Sequence, residues 1–305
     1  MTLTNADWVR AAYAAKTVVP AFNIPCLPMM EPVVRALRDT ECAGFIAVAR
    51  LEWIKFEARS LAAVREEYER VKDERFTRLH LDHVPVIDED GVRVDVVPVM
   101  REAIDLGYGS VMIDGSRLPL VENIAATREV VALAHARGVV VEAELGAVFG
   151  HGEGPLPPYE ELFAAGRGFT DPGEAARFVR ETGVDWLSVA VGSQHGAISP
   201  ARKDEKKVEA RLDIPRLAKI NAAAGVPLVL HGGSGIRKSY IMNGVRNGIA
   251  KINVGTAIRQ PYERALARGA DEAARAVYEA TVRAIREDLE IHGSAKVINN
   301  AGGPA

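Results

Sequence analysis

Eight times along the chain a short run rich in Val, Ile, Leu and Ala is followed by a longer stretch with helical period. That alternation is the signature of a parallel sheet with helices laid on its faces, and it excludes most all-α and all-β architectures. The apolar runs fall at residues 18–23, 45–49, 77–82, 110–114, 139–144, 186–191, 226–231 and 251–254. The helical stretches fall at 30–41, 53–72, 97–106, 120–137, 172–182, 214–224, 238–247 and 257–267. Glycine stands just before several runs, at Gly44, Gly107, Gly138, Gly183 and Gly225, where a helix can end at positive φ without steric cost. Eight such units predict an α/β fold, a single (β/α)8 TIM barrel occupying residues 1–305 as one domain. A further amphipathic stretch at 272–291 predicts an extra C-terminal helix that covers the barrel or a partner subunit.

The bulk of the chain points to small-molecule chemistry. With 48% hydrophobic and 26% charged residues the chain can bury a large core. A formal charge of -3 supplies no basic field for nucleic acid, and no apolar run reaches membrane-spanning length. Cys26 and Cys42 are too few for a disulfide framework or a thiolate zinc site, which fits a reducing cytoplasm.

Three segments without periodicity, 84–93, 146–170 and 193–211, each follow a strand and so belong to the C-terminal rim, where barrel enzymes keep their active sites. Strand three ends Leu81-Asp82-His83, strand six runs into Gly192-Ser193-Gln194-His195-Gly196, and strand seven ends Leu230-His231-Gly232. A single strand-end histidine is usually a hydrogen-bonded rim residue. Three at equivalent heights form the ligand set of an open catalytic zinc site. The other histidines carry less: His80 reads as a satisfied core residue, His135 lies on a helix, His151 in a solvated loop and His292 in the tail. Strand five carries Glu142 and Glu144, which period-two alternation turns to the same side. A nearby metal would relieve their repulsion, with Glu144 as an alternative ligand and Glu142 orienting a histidine. The competing reading pairs one of them with a buried Arg or Lys. His231-Gly232-Gly233-Ser234-Gly235 and Asn253-Val254-Gly255-Thr256 open the helices after strands seven and eight, where barrels commonly bind phosphate. Gly196 is a third edge of that site.

Taken with Pro20-Ala21-Phe22-Asn23, Ser110-Val111-Met112-Ile113-Asp114-Gly115-Ser116, Glu142-Ala143-Glu144-Leu145-Gly146 and Lys251-Ile252-Asn253-Val254, these strings make the chain resemble the class II fructose-bisphosphate and tagatose-bisphosphate aldolases over nearly its whole length. The resemblance implies a homodimeric or homotetrameric lyase that cleaves a phosphorylated ketose to dihydroxyacetone phosphate and an aldehyde. It implies that His83, His195 and His231 bind zinc or another divalent ion, cobalt and manganese included, with Glu144 as an alternative contact and a monovalent cation as a further cofactor. Asp82 would take the C4 hydroxyl proton. Glu153 would move the C3 proton, although Gly150-His151-Gly152-Glu153 carries one residue more than the family pattern. Gly196, Gly232, Ser234, Asn253 and Thr256 would surround the phosphate-bearing half of the substrate, in a binding set that also takes in Asn23, Gly233 and Gly255. The chemistry suits these residue types, because bond cleavage leaves an enediolate whose charge a Lewis-acidic metal stabilises by several kcal/mol.

Three departures bear on the substrate. The family's Lys after the His-Gly of strand six is missing from the run Ala197 to Lys203, leaving Arg202 or Lys203 in its place. Arg50 stands where a substrate-contacting Ser is usual, and Glu290 where an Arg often reaches a distal phosphate. The distal group is therefore expected to differ from the C6 phosphate of fructose bisphosphate, with Arg50 binding a carboxylate or sulfonate. The alternative is that Arg50 only forms a rim salt bridge. A class I aldolase would need a Schiff-base lysine inside the barrel, and Lys251 reads as opening strand eight at the opposite, stability face. A non-catalytic barrel subunit stabilising a partner aldolase and a phosphate-binding isomerase are the other rivals.

Overall fold

A computed structural model describes residues 3–147, 159–193, 210–233 and 235–300. Strands β1 (Val19–Asn23), β2 (Gly44–Val48), β3 (Thr77–Pro85), β4 (Ser110–Asp114), β5 (Val140–Leu145), β6 (Trp186–Val189), β7 (Leu228–Leu230) and β8 (Ile249–Val254) form a closed barrel in chain order. Every neighbouring pair is parallel, and β1 pairs with β8 to complete the ring. Residues of β1, β2, β4 and β8 are buried on both faces, which is why these strands read as continuous apolar runs.

The bottom of the barrel is closed by a helix that periodicity does not reveal, Asn5–Ala15, capped by Thr4 and Asp7. Its Trp8 packs 6.0 Å from Phe45 at the start of β2, and Phe45 stacks 5.9 Å from Trp186 at the start of β6. Asn5 donates to Leu79 O at 3.0 Å and to Ser110 Oγ at 2.7 Å, binding the helix to the starts of β3 and β4. With the bottom sealed, the strands' C-terminal ends are left for chemistry.

Two other differences from the sequence expectation shape the rim. The stretch 53–72 is not one helix but two, Arg50–Ile54 and Leu61–Val71. Arg59 takes a left-handed φ of 69° and Ser60 caps the second piece by accepting from Ala63 N, so the chain turns between them. Within 146–170, a stretch without periodicity, a short helix Tyr159–Ala165 forms and buries Tyr159 and Leu162. Followed by a short helix, Ser294–Asn300, the expected helix over 272–291 begins at Ala270, runs to Arg283 and passes into a π turn, Ala284–Asp288. It packs on the helices Met30–Asp39 and Thr256–Leu266 and so covers the outside of the barrel. No described helix is long and apolar enough to cross a membrane.

Candidate active site and metal centre

Strand β3 delivers two consecutive residues to the interior. Side chains normally alternate along a strand, but the register of β3 against β4 shifts between Leu81 and Val84, so Asp82 and His83 both face inward. Strand β5 keeps its regular alternation and turns both Glu142 and Glu144 into the barrel. His231 arrives from the end of β7 and lies between these carboxylates. Its Nε2 is 2.8 Å from Glu142 Oε1, and its Nδ1 is 3.8 Å from Glu144 Oε2.

This arrangement fixes the imidazole chemically. With Nε2 as donor to the Glu142 carboxylate, Nδ1 is the ring nitrogen turned toward Glu144. His83 Nε2 is 3.6 Å from Glu144 Oε2 and 3.6 Å from Asp114 Oδ2, and its ring centroid is 5.6 Å from that of His231. One donor atom each from His83, Glu144 and His231 lies within 4.8 Å of the others. Tetrahedral zinc with nitrogen and oxygen donors needs them about 3.4 Å apart, so small rotamer shifts bring this set onto one ion.

The local field agrees. Burial works against a charged His83, but Asp114 and Glu144 outweigh it and raise the imidazole to about 10. Glu144 is raised by burial and by Asp114, against the pull of both histidines. Two buried carboxylates facing this imidazole leave the pocket with negative charge that a proton or a divalent ion can balance.

A second buried cluster, His80, Asp82 and Glu142, also has metal-like spacing, but a cation already sits beside it. Lys251 Nζ is 2.8 Å from Glu142 Oε2, 2.7 Å from Asn253 Oδ1 and 3.9 Å from Asp82 Oδ1. Its placement corrects the sequence reading. Strand β8 starts at Ile249, so Lys251 sits mid-strand and shares the inward face with Asn253 instead of opening the stability face. Glu142 thus pairs with a lysine and holds a histidine at once. Burial would raise it, but Lys251 and then His231 bring it down to about 2. His80 donates or accepts through Nδ1 to Ser110 Oγ at 2.8 Å and is pushed toward its neutral form by burial and by Lys251.

Asp82 is held from both sides. Asn23 Nδ2 donates to Oδ2 at 2.7 Å and Asn253 Nδ2 to Oδ1 at 2.7 Å. Burial is overcome by His80, Lys251 and His231, and the carboxyl lies well below its usual range. A carboxylate fixed by two amides, next in sequence to the His83 imidazole, has the position from which a proton can be accepted.

Of the expected phosphate set, Gly255 caps the helix Thr256–Leu266 and lies against Asn23, while Gly232 takes a positive φ of 67° after His231. A Cβ at Gly233 would come within 2.9 Å of the Ile252 side chain, so that turn needs glycine. Asn23 and Asn253 spend their amides on Asp82. Glu153, His195, Gly196 and Ser234 lie outside the described residues, as do His151, Arg202 and Lys203. Arg50 opens the helix after β2 with Nη1 3.4 Å from Asp88 Oδ2, the rim salt bridge weighed as its alternative role. Glu290 pairs with Lys238 at 2.6 Å. Sequence reasoning gave Asp114 no role and set Lys251 at the wrong end of β8. Each carried a signal, an acid at a strand end and a period-two partner of Asn253.

Imidazoles and carboxylates converging at the C-terminal ends of β3, β4, β5 and β7 define a barrel enzyme of the metal-assisted kind. The family described as fructose-bisphosphate aldolase class-II matches residues 4–297. Over 267 residues the chain is 32% identical to the fructose-bisphosphate aldolase of Geobacillus stearothermophilus, covering 85% of this chain and 83% of that one. A 178-residue stretch is 40% identical to the fructose-bisphosphate aldolase of Staphylococcus aureus strain N315, spanning 58% of this chain and 54% of that protein. The YdjI aldolase of Escherichia coli K12 superposes with a TM-score of 0.75 at 26% identity, covering 97% of this chain and all of that one. The chain belongs to the class II fructose-bisphosphate aldolase family, and it is an aldehyde-lyase of that class.

Proposed function

We propose that the protein cleaves, and in reverse forms, the C3–C4 bond of a ketose 1-phosphate or ketose 1,6-bisphosphate, giving dihydroxyacetone phosphate and an aldehyde. The observation that carries this reading is the juxtaposition of an amide-clamped Asp82 with the donor set of His83, Glu144 and His231. We assign His195 and Glu153 to the same site as third histidine ligand and C3 proton carrier.

In cleavage Asp82 accepts the C4 hydroxyl proton while Asn23 and Asn253 keep its two oxygens in place. Glu142 keeps the His231 proton on Nε2, and Lys251 keeps Glu142 ionised. A divalent ion, zinc in the first instance, would supply Lewis acidity where negative charge develops on the ketose half, worth several kcal/mol. Gly232, Gly233, Gly255 and Thr256 offer backbone donors and a helix N-terminus to the 1-phosphate. Cys26 and Cys42, both free thiols, fit work in a reducing cytoplasm.

The test is a cleavage screen over ketose 1-phosphates and bisphosphates, with and without chelator, alongside metal analysis. Turnover lost to chelator and regained with a divalent ion supports the reading. Activity that survives chelation and is trapped by borohydride contradicts it. Asp82→Ala should keep the metal and slow kcat by about 100- to 10,000-fold; normal turnover in that variant would remove Asp82 from its role.

A further inference from the structure

Lys251 is fully buried, and the chemistry above uses it only as a counter-charge for Glu142. Its ammonium carries three N–H donors and no acceptor. One donor reaches Glu142 Oε2 at 2.8 Å, and another reaches Asn253 Oδ1 at 2.7 Å. The second bond is local to β8, where the two residues stand two apart and so share the strand's inward face. It engages a residue that the sequence places beside the substrate phosphate, and it gives that residue a different task.

The bond from Lys251 decides which way the Asn253 amide points. The two ends of an amide are alike in shape and opposite in hydrogen bonding. An ammonium can only donate, so the end beside Nζ is the carbonyl oxygen, and the amide nitrogen is left facing Asp82 Oδ1 at 2.7 Å. Turned by half a rotation, the amide would set N–H against the ammonium and C=O against the carboxylate, losing two charge-assisted bonds at once. The ammonium also polarises the amide and strengthens its N–H bond to Asp82. Nζ itself stays 3.9 Å from Asp82 Oδ1, beyond hydrogen-bond length, so Lys251 orients this carboxylate through the amide. His80 Nε2 lies 3.7 Å from an oxygen of Asp82 and 3.7 Å from one of Glu142, too far to bond either. Among the described residues, the pair Lys251 and Asn253 is therefore the hydrogen-bonded link from Asp82 to Glu142, and through Glu142 to His231.

We propose that Lys251 is a positioning residue for the aldol reaction: by holding Asn253 Oδ1 it turns the Asn253 amide hydrogens onto Asp82 and ties this carboxylate to the Glu142–His231 arm of the metal centre. The inference deepens the function proposed above and rests on it. Without the ammonium the amide is free to rotate, and Asp82 loses the partner of one oxygen while the substrate's binding groups are untouched. The cost therefore falls on kcat and not on KM.

The experiment measures kcat, KM and metal content of the metal-loaded wild type, Lys251→Met, Asn253→Ala and the double variant, on the ketose phosphate that wild type cleaves fastest. Crystal structures of wild type and Lys251→Met show the Asn253 amide directly. Lys251→Met should lose about 10- to 100-fold in kcat, with KM within about threefold of wild type and the metal retained. Both changes remove the same bond to Asp82, so the double variant should be no slower than the slower single variant. In the Lys251→Met crystal the contact between Asn253 and Asp82 Oδ1 should be lost. If Lys251→Met alone does not fold, the same comparisons are made in a Glu142→Gln background, which leaves no stranded carboxylate. Wild-type kcat in Lys251→Met, a loss confined to KM, metal content falling in step with kcat, losses that multiply in the double variant, or a retained contact between Asn253 and Asp82 would each overturn the proposal. A wild type that cleaves no ketose phosphate would instead overturn the proposed function, and the two crystal structures would then decide whether Lys251 sets the amide.

Discussion

Replacing Lys251 with methionine removes the one cation that the described interior offers Glu142 besides imidazole, and the consequence can be sized. The ammonium is 0% exposed and 2.8 Å from the carboxylate. Breaking a buried pair by deleting one partner costs about 3–5 kcal/mol, because the other charge stays desolvated. Against a typical total of about 5–15 kcal/mol the variant should still fold. Urea unfolding of metal-free Lys251→Met at neutral pH should therefore show a loss of about 3–5 kcal/mol. Adding Glu142→Gln neutralises the stranded charge, so the double variant should be no less stable than Lys251→Met alone, with a coupling of about 1–3 kcal/mol between the two changes. A single-variant loss under about 1 kcal/mol, the size of a surface pair, would refute the argument, as would strict additivity.

Arg50→Ala should raise KM for a ketose phosphate ending in a carboxylate or sulfonate by about tenfold more than for one with a neutral end, as expected for loss of one charged contact of about 1.4 kcal/mol. Equal changes for both would leave Arg50 only its bond to Asp88. Glu52 also links pH to stability. Its folded value of about 8 lies above its ordinary 4.5, so between those pH values the unfolded chain has released the proton and the folded one keeps it. This group's contribution is therefore full at low pH and is lost as pH rises through the window, by about 1.4 kcal/mol per unit. Glu52→Gln should gain on wild type from about pH 5 to about pH 7.5 in denaturant unfolding, and a pH-independent difference would contradict the protonated state.

The strands were legible because barrel strands are buried on both faces. Gly44–Val48 and Ser110–Asp114 have no exposed residue to interrupt the apolar run. The helix Asn5–Ala15 was not legible, since its inward side of Trp8, Val9 and Ala12 makes a short stripe in a region with no strand to pair it to. The break between Ile54 and Leu61 was hidden for another reason. Helical spacing continues through it, while tertiary bonds, Glu57 N to Pro25 O at 2.9 Å among them, pull the chain out of the helix.

Within the site, period-two spacing was enough to turn Glu142 and Glu144 the same way. It could not foresee that Asp82 and His83 both point inward, because that depends on a register shift against β4. Lys251 was misplaced by a two-residue error in where β8 begins. Asp114, 3.6 Å from His83, ended the fourth apolar run but gained meaning only once β3 and β4 were side by side.

The central claim is that His83 and His231 share one divalent ion beside Glu144. Metal quantification on wild type and His231→Ala, with X-ray absorption on the cobalt-loaded wild type, tests it most directly. The account predicts one ion per chain with imidazole ligands in wild type, and loss of the ion together with turnover in His231→Ala. A His231→Ala protein that retains the ion with an unchanged coordination spectrum would contradict it.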